Sequence, residues 1–142
     1  MHTVRDILRR KGAAVQSVKP GDTVLHALRV MAEYDIGGVL VIDDDKLVGI
    51  LTERDYARRV VLLGRASRDS AVADVMTSHV CCVSPDRTVN ECMALMTDKR
   101  IRHLPVLEHK QVIGVVSIGD VVKSTIAEQE FEIAQLQSYI AG

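Results

Sequence analysis

Aromatic residues and cysteines are scarce in this sequence. It contains no tryptophan, one phenylalanine and three tyrosines among 142 residues. The core must therefore be built from aliphatic side chains and methionine. There are three cysteines, and Cys81 and Cys82 are adjacent. An odd number with this spacing argues against a disulfide framework and favours a reducing, cytoplasmic environment.

The sequence also lacks an excess of charge of either sign and any long apolar run. The formal net charge is −1, so nothing suggests the basic surface that binds nucleic acid or an anionic membrane. No apolar run approaches the roughly 18 residues needed to span a bilayer, and the N-terminus lacks the apolar block of a signal peptide. There is no P-loop and no Ser/His/Asp set in a recognisable context. We therefore predict a protein that is not an enzyme, with neither nucleic acid nor membrane as a partner.

What the sequence does contain is an internal repeat. A shift of 65 residues, without a gap, aligns Val18–Asp55 with Val83–Asp120, and nine of the 38 aligned positions are identical. A single copy of about 60 residues would bury little apolar surface. We therefore expect the two copies to pack on each other about a pseudo-twofold axis.

Each copy predicts the element order β-α-β-β-α, which gives an α+β fold class. A short extended segment, at 15–18 or 80–83, precedes a proline, and apolar residues at helical spacing follow in 24–34 and 88–99. Two apolar runs around a polar tetrad then predict a β-hairpin. A second helix closes each copy, at 53–63 and from Ile118 onward.

The repeat leaves a connection and a C-terminal extension. Residues 67–78 connect the copies, with a short helical turn expected at Val72–Met76. Ile126, Ile133, Leu136 and Ile140 recur at helical spacing, so the last segment predicts a helix whose apolar stripe needs a partner, either the first residues of the chain or a second subunit. The predicted divisions are 1–66, 67–125 and 126–142.

Both copies end in a hydroxyl residue followed three positions later by an aspartate, Thr52/Asp55 and Ser117/Asp120. This spacing is typical of a helix capping box, in which the carboxylate lies in the positive field of the helix N-terminus. The same position can also bind phosphate, and a carboxylate can accept hydrogen bonds from a ribose diol. The two interpretations are compatible.

The duplicated unit, "IRHLPV" at Ile101–Val106 and the Gly-x-x-[Thr/Ser]-x-x-Asp endings at Gly49–Asp55 and Gly114–Asp120 resemble a pair of cystathionine-β-synthase (CBS) domains, called a Bateman module. The resemblance covers roughly residues 4–125 and suggests a stand-alone pair. It implies a cleft between the repeats that binds an adenosine-containing ligand: AMP, ADP, ATP or NAD, with S-adenosylmethionine less expected.

The resemblance implies two crossed sites in that cleft. The first would use Ile50, Thr52, Arg54 and Asp55, with Val80, Cys81, Ile101, Arg102 and His103 opposite. The second would use Val115, Ser117 and Asp120, with Val15, Gln16, Ile36, Gly37 and Gly38 opposite. Asp55 and Asp120 would accept from ribose, and Thr52, Ser117 and Arg54 would donate to phosphate. Because Glu53-Arg54 corresponds to Ile118-Gly119, the sites are not expected to be equivalent.

Other features leave alternatives open. Gly37-Gly38 could end a helix or let the backbone approach an adenine closely. The run Asp43–Asp45 suggests a divalent cation but predicts a hairpin turn better. His79 and Cys81, on one face of a predicted strand, could form a metal or redox site with His103, although no metal is expected to be required. The function expected overall is energy sensing and signal transduction by a homodimer that acts on an unidentified regulated protein.

Overall fold

The computed structural model describes residues 2–141 and has the mixed α+β architecture that the repeat predicts. Its helices and strands are α1 (Val4–Lys11), β1 (Ser17–Val18), α2 (Val24–Tyr34), β2 (Gly38–Asp43), β3 (Lys46–Thr52), α3 (Glu53–Tyr56), α4 (Val72–Val75), α5 (Val89–Lys99), β4 (His103–Glu108), β5 (Gln111–Ser117) and α6 (Ile118–Ala141). A π-helical turn, Ala57–Val61, continues α3.

The chain forms two compact units. One is Val15–Cys81, called here the first-repeat unit. The other, the second-repeat unit, joins the chain up to Ala14 with the chain from Cys82 onward. The N-terminal helix is thus part of the same unit as the second repeat, although the first repeat follows it in sequence.

The strands of the two units coincide at the 65-residue shift. In the first-repeat unit β1 pairs in parallel with β2, and β2 pairs antiparallel with β3. In the second-repeat unit β4 and β5 form the equivalent antiparallel hairpin. Each hairpin has a register shift at the equivalent place, after Val41 and after Val106. The repeat prediction is therefore confirmed for the two hairpins.

Both hairpins close through two residues with positive φ. These are Asp44 and Asp45 in one hairpin, and His109 and Lys110 in the other. Two consecutive positive φ angles are those of a type I′ turn, whose twist matches the flanking strands. The acidic run Asp43–Asp45 thus lies at a hairpin turn, as predicted.

Helices α1 and α4 occupy equivalent places in the two units. In the first-repeat unit Val72 N–H donates to Asp22 O and Ala73 N–H to Pro20 O. In the second-repeat unit Val4 N–H donates to Arg87 O, and Arg5 N–H to Pro85 O. The connection after the first repeat therefore completes the first unit, and the N-terminal helix completes the second.

Glycines at equivalent positions of the two hairpins leave room for close contact with the helical segments. A Cβ on Gly49 would lie 2.5 Å from Met76 Sδ and 2.9 Å from the Thr77 carbonyl oxygen. A Cβ on Gly114 would lie 2.6 Å from Leu8 Cδ2. The identity of these two residues in the repeat thus reflects close packing against each hairpin.

The helices and extended segments differ from the predictions in two places. The segment 80–83 is predicted to be a strand, but its β-structure is an isolated parallel bridge between Val83 and Val106. His79 and Cys81 therefore do not share a strand face. Tyr34, the last apolar residue of the helical spacing at 24–34, is 49% exposed, whereas Val24, Ala27 and Met31 of the same helix are buried.

The extended C-terminal helix is confirmed. Helix α6 runs unbroken for 24 residues and buries only Val121 and Ser124. His2 Nδ1 lies 3.0 Å from Ser124 Oγ, so the first residues contact α6 near its start. They do not cover the predicted apolar stripe, whose members Ile126, Ile133, Leu136 and Ile140 are all exposed.

Candidate functional site

The capping interpretation holds for Thr52 and Asp55. Thr52 Oγ1 accepts from the Asp55 N–H at 3.2 Å, and Asp55 Oδ2 accepts from the Thr52 N–H at 3.1 Å. Both hydrogen bonds of a capping box are therefore made at the start of α3.

Asp55 is also bonded on its other side. Its Oδ1 accepts from the Thr77 hydroxyl at 3.1 Å, and the residue is only 8% exposed. Thr77 also forms a backbone bridge with Ile50, each donating to the other at 2.9 Å. Both carboxylate oxygens of Asp55 and both backbone polar groups of Ile50 are thus engaged within the first-repeat unit.

Asp120 is held in the same way by Ser117 but has a different third partner. Its Oδ2 accepts from the Ser117 N–H at 2.8 Å, and its own N–H donates to Ser117 Oγ at 3.2 Å. The Lys11 ammonium donates to Asp120 Oδ2 at 2.7 Å and to the Val115 carbonyl at 3.0 Å. The bonds from Lys11 and from the Ser117 N–H thus both reach the same carboxylate oxygen, Oδ2.

The surroundings of Asp120 favour its ionised form. Burial is the largest influence and by itself raises the pKa of the carboxyl group. The hydrogen bond from Lys11, the one from the Ser117 N–H and the positive charge of Lys11 together outweigh it, so the pKa is lowered from its ordinary value of 3.8. Asp120 is therefore held as a charged carboxylate at neutral pH.

The residues before each hairpin lie beside the hydroxyl residue of the same unit. Gly38 pairs with Thr52, and the Glu53 N–H donates to the Gly37 carbonyl at 3.0 Å. His103 pairs with Ser117, and the Ile118 N–H donates to the Arg102 carbonyl at 2.9 Å. Each unit thus gathers its pre-hairpin pair and its capping box at one end of the hairpin.

The remaining predicted residues are distributed over both units. Gln16 accepts from the Leu40 N–H through its carbonyl, next to β1. Ile36 and Ile101 follow the left-handed residues Asp35 and Arg100 that end α2 and α5. Most predicted site residues are half-buried; the exceptions are Ile50 and Asp55, which are buried, and Arg54 and Arg102, which are exposed. The half-buried members are Val15, Gln16, Ile36, Gly37, Gly38, Thr52, Val80, Cys81, Ile101, His103, Val115, Ser117 and Asp120.

Two polar partners of these residues were missed by the sequence analysis, Thr77 and Lys11. Both lie where the repeat alignment does not extend, in the connection and at the end of α1. Lys11 is the last residue of its helix and is followed by Gly12 at φ 91°. A basic last turn, Arg9 to Lys11, was the only sequence signal that it carried.

Within the described part of the chain, no three or more His, Cys, Asp or Glu side chains are grouped so that they could hold a metal ion. Cys81 and Cys82 are free and half-buried, and Cys92 is free and fully buried. Burial raises the pKa of the Cys92 thiol to about 11, so this thiol is protonated and unreactive at neutral pH. None of the helices described is long and apolar enough to cross a bilayer.

Comparisons with a family model, with curated proteins and with solved structures all find CBS domains. The model of the CBS domain matches residues 4–62 and 72–126. A mitochondrial CBS domain-containing protein of Arabidopsis thaliana, CBSX3, is 38% identical over 99% of this chain and 72% of its own length. A CBS-domain protein assigned to signal transduction, from Burkholderia ambifaria MC40-6, is 50% identical with a TM-score of 0.87, over 89% of this chain and 96% of that one.

Two further structures were solved with bound groups. The CBS domain pair of MJ0100, in complex with 5′-methylthioadenosine and S-adenosyl-L-methionine, has a TM-score of 0.79 at 22% identity, over 90% of this chain and 98% of that one. At this identity the likeness shows the fold alone. Hypoxic Response Protein I, with two coordinated zinc ions, has a TM-score of 0.72 at 27% identity, over 87% of this chain and 99% of that one.

Proposed function

Because the chain belongs to the CBS-domain family, we propose that it is a regulatory protein that senses an adenosine-containing nucleotide. The ligand would be AMP, ADP, ATP or NAD, held by residues of both repeats in the cleft that the family resemblance implies. Binding would act as a signal by favouring one of two arrangements of the protein. A micromolar affinity, on the order of −8 kcal/mol, would suit this role.

The observation that carries the proposal is the state of Asp120. Its carboxylate is charged, half-buried and fixed at the start of α6, and the bonds from Lys11 and the Ser117 N–H both reach one oxygen, Oδ2. A ribose diol needs such an acceptor. The complex of the MJ0100 domain pair with two adenosine compounds supports the same ligand class.

The two aspartates are expected to contribute differently. Asp55 is nearly buried, and both of its oxygens already accept from Thr52 and Thr77. A ribose at Asp55 would have to share Oδ1 with the Thr77 hydroxyl at a nearly buried position. A ribose at half-buried Asp120 would use Oδ1, the oxygen that the bonds from Lys11 and the Ser117 N–H do not reach. We therefore propose that Asp120, with Ser117 beside it, is the principal ribose acceptor, and that Asp55 serves mainly to stabilise the fold.

Isothermal titration calorimetry tests this proposal directly. AMP, ATP, NAD and S-adenosylmethionine would be titrated into the wild type, Asp120→Ala and Asp55→Ala, with folding of each variant checked by circular dichroism. We expect Asp120→Ala to weaken binding at least about tenfold, which corresponds to roughly 1.4 kcal/mol. Asp55→Ala should weaken it much less at a temperature where it remains folded.

The outcomes separate two levels of the proposal. A wild type that binds none of the four ligands would contradict nucleotide sensing altogether. Binding that survives in Asp120→Ala and is lost in folded Asp55→Ala would retain nucleotide sensing but reverse the assignment of the acceptors.

A zinc or redox sensor is a second candidate, because Hypoxic Response Protein I contains two coordinated zinc ions. The residues to test are His79, Cys81 and His103. This candidate predicts stoichiometric zinc in elemental analysis of the purified protein, or an oxidant response that disappears in Cys81→Ser. Cys92→Ser is the matched control, since its thiol is fully buried.

The partners and the location follow from the same proposal. We propose a homodimer that passes its signal to a regulated protein, and a cytoplasmic location. Since the Arabidopsis relative is mitochondrial, fractionation of source cells would have to include every soluble compartment.

A further inference from the structure

The second half of α6 lacks packing partners in the described chain. Every residue from Gln129 to Ala141 is exposed, and the buried residues of the helix lie earlier, at Val121 and Ser124. A helical segment of this length is only marginally stable in water by itself, because most helices are stabilised by packing of an apolar face. The end of α6 therefore needs a surface to pack against.

Five of the seven exposed large apolar residues within Ile118–Ala141 follow a heptad repeat, and Phe131 and Tyr139 lie outside it. Ile126, Ile133 and Ile140 are spaced by seven residues and occupy the position called a. Val122 and Leu136 lie four residues before two of them, at position d, and Gln129 occupies the d position between. Exposure of the apolar members rises from 43% at Val122 to 83% at Ile140.

The identity of these residues indicates what covers them. Isoleucine at a together with leucine at d favours a parallel two-stranded coiled coil. In that arrangement the flanking positions would bring Thr125 near Glu130 and Glu132 near Gln137 of the other copy. No like charges would face each other.

We propose that the second half of α6 pairs with the same segment of a second copy of this chain, in parallel and in register. The polar layer at Gln129 would fix the register at some cost in stability, as buried polar residues do in coiled coils. The seam from Val122 to Ile140 would be about 27 Å long at 1.5 Å per residue. Such a short seam is expected to give a dimer that dissociates in the micromolar range.

Sedimentation equilibrium across the micromolar range tests the association, with Ile133→Asn as the test variant and Phe131→Asn as its control. Phe131 is 63% exposed and Ile133 54%, but Phe131 lies outside the a and d positions. We expect the wild type to approach twice the mass of one 15.6 kDa chain. Ile133→Asn should raise the dimer dissociation constant at least about tenfold, and Phe131→Asn less than about twofold.

Cross-linking tests the orientation. In a parallel pair the two copies of Ile140 meet, so Ile140→Cys should form an intermolecular disulfide under mild oxidation, and the wild type, with Cys81, Cys82 and Cys92, is the background control. In an antiparallel pair the two would lie at opposite ends. The proposal is overturned by a monomeric wild type, by a dimer that Ile133→Asn leaves intact, or by an Ile140→Cys protein that cross-links no more than wild type.

Discussion

At the scale of single residues, two aspartates at equivalent positions of a repeat have acquired different surroundings. Both carboxylates cap a helix. Asp55 accepts a hydrogen bond from the neutral hydroxyl of Thr77, whereas Asp120 accepts one from the charged ammonium of Lys11. A hydroxyl and a lysine side chain differ in charge and in mobility. The carboxylates thus differ in exposure and in the charge of their third partner even though the local sequence motif is shared.

Substitution of Asp55 by alanine is predicted to destabilise the protein by about 2 kcal/mol. The change removes the acceptor for the Thr52 N–H and leaves the half-buried Thr77 hydroxyl without its partner. Urea unfolding followed by circular dichroism measures the effect. Thr77→Val is the companion variant: a cost near zero for both substitutions would mean that this hydrogen-bonded cluster contributes nothing to stability.

A pH-dependent contribution is predicted for the pair formed by Lys11 and Asp120. Because the pKa of Asp120 is lowered in the folded state, this carboxylate stabilises the protein above its ordinary value of 3.8. That stability is lost as the pH falls through the lower, folded-state value. Lys11→Met should therefore cost about 0.5 kcal/mol at neutral pH, and the difference from wild type should close below pH 3.8.

Urea titrations of wild type and Lys11→Met at several pH values would measure this difference. Lys99→Met, on the exposed end of α5, is the control for loss of a surface lysine. A gap between wild type and Lys11→Met that widens on acidification would contradict the assignment.

The sequence predicted the local contacts of these residues and missed the distant ones. The capping boxes follow from a three-residue spacing, so Thr52/Asp55 and Ser117/Asp120 could be recognised directly. Thr77 is 22 residues from Asp55, and Lys11 is 109 residues from Asp120. Contacts of that separation depend on how α1 and the connection pack, which no local pattern specifies.

At the scale of secondary-structure elements, the sequence predicts those helices whose apolar residues recur at regular spacing and those hairpins whose turns are polar. Helices α2 and α5 and both hairpins follow from their apolar spacing and polar turns. The segment 80–83 was predicted as a strand from its apolar composition, but in the described chain only Val83 pairs with β4. The π-helical turn at Ala57–Val61 has no sequence signature that distinguishes it from an α-helix.

The contact between each hairpin and its short helix gives a prediction about the equivalent glycines. Alanine at Gly49 would place its Cβ against the Thr77 carbonyl oxygen, which is backbone, as well as against Met76. For alanine at Gly114 the three nearest atoms all belong to the Leu8 side chain, whose rotamer can adjust. Gly49→Ala should cost about 2 kcal/mol and Gly114→Ala less.

Thermal unfolding of the two glycine variants measures this order. Gly21→Ala is the control, because no atom lies within 4 Å of its built Cβ. Equal costs for Gly49→Ala and Gly114→Ala would show that the backbone at Thr77 yields as easily as a leucine side chain.

At the scale of the whole molecule, the boundaries of the compact units are displaced from the boundaries of the sequence repeat. The repeat divides the chain near residue 66. In the compact units, however, α1 belongs with the second repeat and α4 belongs with the first. The sequence contains a short repeated motif that indicates this equivalence. Val4-x-Asp6 in α1 matches Val72-x-Asp74 in α4, and two apolar residues follow each of them. An alignment at a shift of 65 residues does not match these two segments, because they are 68 residues apart.

Removal of residues 1–11 is therefore predicted to weaken the second-repeat unit selectively. Helix α1 buries Val4, Ile7 and Leu8 there and bonds to the backbone at Pro85 and Arg87. Loss of three buried apolar side chains should cost several kcal/mol, on the order of 2 kcal/mol for each one. Hydrogen exchange measured by mass spectrometry should show reduced protection in β4 and β5 and nearly unchanged protection in β2 and β3.

The converse variant provides the control for this prediction. Val72 in α4 is fully buried in the first-repeat unit, so Val72→Ala should reduce protection in β2 and β3 first. If removal of α1 instead exposed β2 and β3, the N-terminal helix would stabilise the repeat that follows it in sequence. The order in which the hairpins lose protection thus distinguishes a division by sequence from a division by packing, because α1 is hydrogen-bonded to the segment before α5 and α4 to the segment before α2.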